Sequence, residues 1–471
     1  MNTFVNAVKN QEARTTNGMK ARVETANKNV DLFFKIGASR GQDITPLFTG
    51  AYIENADVAL RIAQWARDVR GGAGEREIFR QILRYLANNY PADAVKLLHK
   101  VPEVGRWDDL LVFEPGMVRN AAFDLIKNAL DAGHGLCAKW MPRKGDIAVQ
   151  LRQHFNWTPK FYRKRLVELT KVVESQMCAN DWDNINFSHV PSVASARYKK
   201  AFQRHTPKYA EYVAALVKGD TSVKVNASAI FPHDVLKGRI NPYGFQSMTK
   251  TELDMIQMQW EALPNYVGNA NILPLVDVSG SMTCSVGGNN NLTCLDVSVS
   301  LGLYLADKNK GKFKDTFLTF SESPELLHLN GNINQKIDQM IKSKWAMNTN
   351  LVAAFEKILS VAVKGNVPQN EMPEMLLILS DMQFNQCVHF DDSAIEMIRR
   401  KYQAAGYEVP RVVFWNLHAH DNVPVKFDEQ GTALVSGFSP SILKSLLASD
   451  MDAFTPESIM LNTVMIDRYS I

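Results

Sequence analysis

Cysteine is scarce in this chain. Its 471 residues hold five, Cys137, Cys178, Cys284, Cys294 and Cys387. An odd number at irregular spacing excludes a disulfide framework. Cys284 and Cys294 flank a Gly- and Asn-rich loop and could approach each other. In a cytosolic chain they read as a reduced pair. A zinc site would need further partners, with His328 and His389 the candidates. Long apolar runs are also missing, so no segment is expected to span a bilayer. Met1-Asn2-Thr3-Phe4-Val5 lacks the basic and apolar blocks of a signal peptide, which implies a cytoplasmic protein. Charge of one sign is not in gross excess, since 53 Lys and Arg against 49 Asp and Glu leave +4.

Motifs of catalysis are lacking too. There is no Gly-x-Ser-x-Gly elbow, metalloprotease helix or P-loop. Arg70-Gly71-Gly72-Ala73-Gly74-Glu75 superficially resembles a phosphate loop. It lacks the Gly-Lys-Ser/Thr ending and follows a helix, so a helix–helix turn explains it better. His418 and His420 are the nearest candidates for a general base, and a loop or capping role suits them better. No enzyme is expected.

What is present is more specific. Asp277-Val278-Ser279-Gly280-Ser281 directly follows the apolar run Ile272–Val276. One carboxylate and two hydroxyls at alternating positions after a buried strand can converge on a hard cation such as Mg²⁺ or Mn²⁺. The chain then alternates strand and helix. Thr316–Phe320, Leu326–Leu329, Met375–Leu379 and Arg411–Leu417 read as strands. Leu295–Asn309, Ile333–Lys342, Leu351–Val363, Ile395–Ala405 and finally Ile442–Ala448 read as helices. This predicts a doubly wound α/β domain over residues 265–471. Thr349 and Asp381 fall just before a helix and just after a strand, where loops bring ligands together.

Asp277, Ser279, Ser281, Thr349 and Asp381 together resemble the ligand set of the von Willebrand factor A domain, its metal-ion-dependent adhesion site. The resemblance covers roughly Asn271 to Ile471. It implies a Rossmann-like fold and a Mg²⁺ ion with one open position, usually filled by a partner's Asp or Glu.

Residues 1–264 read mainly as helices separated by short Gly, Pro or Asn breaks. Asp57–Arg70, Glu75–Asn88, Ala92–Lys100, Met117–Ala132 and Lys160–Met177 carry apolar residues at helical spacing. The pattern predicts an all-helical, irregular HEAT-like array. The cations there are bunched. Lys139, Arg143, Lys144, Arg152, Lys160, Arg163, Lys164, Arg165 and Lys171 are opposed only by Asp146 and Glu168. Arg197, Lys199, Lys200, Arg204 and Lys208 follow. Trp140, Phe155, Trp157, Phe161, Tyr162, Tyr198, Phe202 and Tyr209 are interleaved. Such clusters suit phosphate neutralisation and base stacking, and equally a solvated face over an aromatic core.

Arg67–Glu77, Gly105–Leu110, Ala138–Arg143 and Phe161–Glu174 resemble a family in which a helical region precedes an A-like domain. The whole is similar to the Ro ribonucleoprotein (TROVE-type) family. That resemblance implies a monomeric helical ring closed by an A domain, binding small structured or single-stranded RNA. Two functions are thus anticipated, an RNA-binding scaffold or surveillance protein and a protein-docking scaffold built on the metal. The second needs no RNA.

Overall fold

The computed structural model describes residues 12–227, 229–240, 248–286, 292–320, 324–342, 350–384, 394–420, 422–449 and 453–471. Two parts are evident. The first is rich in helices, and the second is built on a six-stranded, mostly parallel sheet.

The helices form where apolar spacing and caps coincide. In Arg76–Asn89, Ile78, Phe79, Ile82, Leu83 and Leu86 share one buried face. Asn27 opens Lys28–Ile36 by accepting from the N–H groups of Asn29 and Val30. Between Ala56–Arg67 and Arg76–Asn89 the chain reverses through Gly72. A Cβ on Gly72 would lie 1.8 Å from the carbonyl oxygen of Trp65, so no side chain fits.

Sequence patterning predicts one helix over Lys160–Met177, and the structure divides it. Pro159–Leu169 ends at Thr170 and Val173–Cys178 starts after Val172, both caps extended. Two β-branched residues favour that extended break. Ahead of the helices lies a short hairpin of β1 (Glu12–Arg14) and β2 (Lys20–Arg22), which periodicity did not suggest.

The sheet contains β3 (Ile272–Asp277), β4 (Thr316–Phe320), β5 (Leu326–His328), β6 (Met375–Ser380), β7 (Arg411–Asn416) and β8 (Thr432–Ser436). Their spatial order is β5-β4-β3-β6-β7-β8, with only β5 antiparallel. Leu275 lies beside Ile378, Ile378 beside Phe414 and Phe414 beside Leu434. Every residue of β3, β6 and β8 is buried, as helices covering both faces require. The chain runs from β3 out to β4 and later returns to β6 on the other side. The order therefore reverses between β3 and β6, the crevice where open α/β sheets bind ligands.

β8 and the helix Pro456–Val464 were absent from the sequence expectation, which ended the fold at Ile442–Ala448. The Lys28–Ile36 helix packs on β8. Ser436 Oγ donates to Phe33 O at 2.8 Å, and Asn416 Nδ2 to Phe34 O at 3.2 Å. The other end of the helical region also rests on the α/β part. Trp260 Nε1 donates to Asp307 at 2.8 Å, and Pro232–Val235 packs on the helix Cys294–Lys308. One apolar core runs through both parts. A second, smaller core joins Val173, Phe187, Phe202, Tyr209 and Met255.

Candidate metal centre and basic surface

β3 ends on Asp277 and β6 on Ser380, side by side at the reversal point. Asp277 is fully buried. Its carboxylate accepts from Ser279 N–H at 2.9 Å and from Ser380 Oγ at 2.5 Å. Ser279 Oγ and Ser281 Oγ are 3.0 Å apart, with Ser279 buried and Ser281 exposed. The hydroxyls thus line a path from the carboxylate to solvent. Asp381 is buried and accepts from Gln383 N–H at 3.2 Å. Met382 beside it takes a left-handed backbone, φ +64°. For a long side chain that is strain, and it turns the chain sharply after Asp381.

Burial, and secondly the nearby Asp381 charge, push the Asp277 carboxyl up to about 7, against the hydrogen bonds it accepts. Neither carboxylate has an ion-pair partner among the described residues. A buried acidic pair without a cation, next to two convergent hydroxyls, is the donor set of a hard dication. Asp277, Ser279, Ser281 and Asp381 are therefore brought together and fit Mg²⁺. Thr349 lies outside the described residues. Among the described residues no group of three or more His, Cys, Asp or Glu is placed as metal ligands. A set of two carboxylates and hydroxyls would not form such a group.

Two positioning residues escaped the sequence reading. Ser380 holds Asp277, as above. Ser298 donates to Asp277 O at 3.0 Å and Leu379 O at 3.3 Å, fastening the two strand ends together. Its signal was a small hydroxyl within the apolar stripe of Leu295, Leu301 and Leu305. The turn of the N-terminal hairpin reaches the same loop. Thr16 N–H donates to Gln383 Oε1, and Asn17 Nδ2 to Gln383 O, both at 2.7 Å.

Cys284 and Cys294 do approach, with sulfurs 3.3 Å apart, and both are free thiols. His418 and His420 follow β7 with ring centroids 4.8 Å apart. Burial lowers the His418 pKa, with His420 adding to the shift. Cys387 and His389 lie outside the described residues.

The basic residues divide into two groups. Lys139, Arg143, Lys144, Arg152, Lys160, Arg163, Lys164 and Arg165 sit on or beside the helices Gly135–Trp140, Asp146–His154 and Pro159–Leu169. Arg197, Lys199, Lys200 and Arg204 sit on Ser192–His205, over the smaller core. Arg143, Lys144, Lys160, Arg163, Lys164, Arg197, Lys200 and Arg204 are exposed. Arg165 is committed elsewhere, donating to Leu130 O at 2.9 Å and Asp131 O at 3.2 Å, the end of the Met117–Asp131 helix. Lys199 is half-buried, and burial lowers its pKa. Phe155, Tyr162, Phe202 and Tyr209 are buried core residues. That leaves Trp140, Trp157, Phe161 and Tyr198 reachable, with Phe161 half exposed against Trp157 at 4.9 Å between rings.

Comparison with known proteins places this chain in a family. A model described as a domain of unknown function (DUF2828) matches residues 15–112 and 146–270, and another (DUF7788) matches residues 271–464. The chain is 30% identical over 515 residues to Uncharacterized protein L728 of Acanthamoeba polyphaga mimivirus. That match covers 96% of this chain and 86% of the viral protein, so the chain belongs to the same family. A crystal structure of the Deinococcus radiodurans RO (RSR) protein superposes on 94% of this chain and 100% of its own. The TM-score is 0.48 and the identity 14%. No helix among the described residues is long and apolar enough to cross a membrane.

Proposed function

We propose that the protein is an RNA-binding scaffold whose α/β part holds a divalent cation that docks a partner's carboxylate. The observation behind the first half is the exposed cation set. Arg143, Lys144, Lys160, Lys164, Arg197, Lys200 and Arg204 form no ion pair among the described residues. Cations left unpaired at this density are free to neutralise phosphates. The buried pair Asp277 and Asp381 supports the second half. When bound, the cation would supply an open coordination position. Asp277, Ser279, Ser281 and Asp381 would hold it, with Thr349 completing the set. No chemical transformation is invoked.

Retention of structured and single-stranded RNA across a salt series tests the reading. The log–log slope should be about −0.7 per phosphate neutralised in single strands. Replacing Lys160, Arg163 and Lys164 together by Glu should weaken binding to many sequences alike, since phosphate contacts position without specifying. Asp277→Ala should leave RNA affinity intact and abolish Mg²⁺ binding. Absence of any salt-dependent RNA binding would discard the RNA half. A protein partner lost with Asp277→Ala would then favour the docking-scaffold reading, to which the Asp277–Asp381 pair is central.

A further inference from the structure

Three of the four segments singled out in the helical part of the sequence meet at one place. Arg70, Arg106, Trp107 and Trp140 come from Arg67–Glu77, Gly105–Leu110 and Ala138–Arg143, and all line one recess of about 390 Å³. That volume falls within the roughly 300–1,000 Å³ of small-molecule sites. None of the roles described above uses it.

The recess is built around a fixed planar cation. The Arg106 guanidinium lies 3.7 Å from the centre of the Trp140 ring. Its Nε donates to Asp108 Oδ1 at 2.8 Å, and its Nη2 to the other oxygen of the same carboxylate. The backbone beneath is clamped as well. Buried Asp109 accepts from Arg67 Nε at 2.8 Å, Arg80 Nε at 2.7 Å and Arg106 N–H at 3.0 Å. A guanidinium held over an indole, with its Nε and Nη2 donors satisfied by one carboxylate, is a fixed planar cation on which a ring can stack. Around it stand the apolar rim residue Leu136, exposed at 60%, and two exposed polar groups, His99 and Arg70. Neither the Arg70 guanidinium nor the His99 ring has a side-chain partner among the described residues. Lys139, next to Trp140 in sequence, lines a second groove of about 430 Å³ together with Arg143.

We infer that the recess seats one unpaired nucleotide, its base stacked on the Arg106–Trp140 pair and its phosphate met by Arg70. An aromatic or guanidinium plane is how proteins hold unstacked bases, and it accepts any base because every base has a π-face. In a strand, the backbone next to that nucleotide would cross Lys139 and Arg143 along the second groove. The inference deepens the RNA reading and rests on it only for the strand, because a free nucleotide tests the recess alone.

Two titrations of the full chain decide the matter. In the first, free adenosine or guanosine 5′-monophosphate is added and saturation-transfer NMR reads base contact. In the second, a short single strand carrying 2-aminopurine is bound, and quenching of its emission reports stacking. Arg70→Gln, Arg106→Lys and Trp140→Leu should each weaken the mononucleotide about five- to one-hundred-fold, as loss of a base-stacking or phosphate contact does. Trp140→Phe should restore most of the loss. Arg70 is exposed, so its variant keeps the test valid should the others fail to fold. Nucleotide binding without RNA binding would keep the recess and discard the RNA scaffold. RNA binding with unquenched 2-aminopurine, unaltered by Arg70→Gln, would keep the scaffold and discard the recess. No response to either probe would discard both.

Discussion

At the scale of residues, Asp277 links pH to the candidate metal centre. Its folded-state pKa lies above that of an unfolded aspartate, because burial and Asp381 disfavour the anion. The folded state therefore holds the proton more tightly. In EDTA, stability should fall as pH rises from about 4 towards about 7 and level off beyond. Mg²⁺ needs the anion, so its stabilising effect should grow over the same window. Thermal melts with EDTA or Mg²⁺ between pH 5 and 8 check this. A Mg²⁺ increment independent of pH, or none at all, would remove the cation from Asp277. Ser380 and Ser281 separate holding the carboxylate from holding the ion. Ser380→Ala strips a buried acceptor of its donor and should cost about 1–3 kcal/mol of folding stability. Ser281→Ala, at an exposed hydroxyl, should leave the melt unchanged in EDTA and weaken Mg²⁺ binding. Equal effects of the two variants in EDTA would contradict that division.

At the scale of elements, the Pro159–Leu169 helix shows why basic residues cannot be counted as one surface. Arg163 and Lys164 point to solvent, whereas Arg165 covers the carbonyls ending the Met117–Asp131 helix. Arg165→Ala should lower stability by about 1 kcal/mol, in the range of a lost hydrogen-bonded contact. It should leave the salt slope of RNA binding unchanged, while charge reversal at Arg163 and Lys164 should do the reverse. Denaturant melts beside binding isotherms distinguish them.

The same helix marks where sequence reading works and where it stops. Ile333–Lys342 was legible to the residue, because its apolar spacing is strict and Gly331-Asn332 directly precede it. So was the place of Asp277 and Asp381, since a buried parallel strand is an unbroken apolar run and its carboxyl end is a fixed point. β8 was not legible, for Thr432-Ala433-Leu434-Val435-Ser436 is five residues of mild character. Its identity comes from β7 and the Lys28–Ile36 helix, some 400 residues away in sequence. Nor could spacing show that Phe155 and Tyr162 are core while Phe161 is open, because all three sit among cations. Helix phase decides that, and the phase shifts at each short break.

At the scale of the whole molecule, the C-terminus is a fastening. Arg468 and the Tyr469 hydroxyl both bond the buried Asp68 carboxylate, and Gln64 Nε2 donates to Tyr469 O at 2.9 Å. Asp68 ends the Ala56–Arg67 helix, so the last residues of the chain hold one of the first helices. Arg468→Ala leaves a buried carboxylate short of its cation. It should cost about 1–3 kcal/mol, since Arg468 is itself partly exposed and Asp68 keeps the Tyr469 hydroxyl. Arg468→Lys should recover part, because charge returns without the paired geometry. A melt unchanged by Arg468→Ala would show that the tail does not hold the helix.

The packing of Lys28–Ile36 on β8 also sets a waiting time. Gly37 N–H donates to Ser436 Oγ, a pairing 399 residues apart. At about 5–20 residues per second of synthesis, the first helix leaves the ribosome roughly 20–80 s before its strand exists. Phe33 meets Trp65 early, 4.5 Å between rings, but the side of the helix that packs on β8 stays uncovered through that interval. The nascent chain therefore carries an uncovered apolar face for that interval, and chaperones that hold apolar segments should engage Lys28–Ile36. A chain stopped before β8 never covers that face.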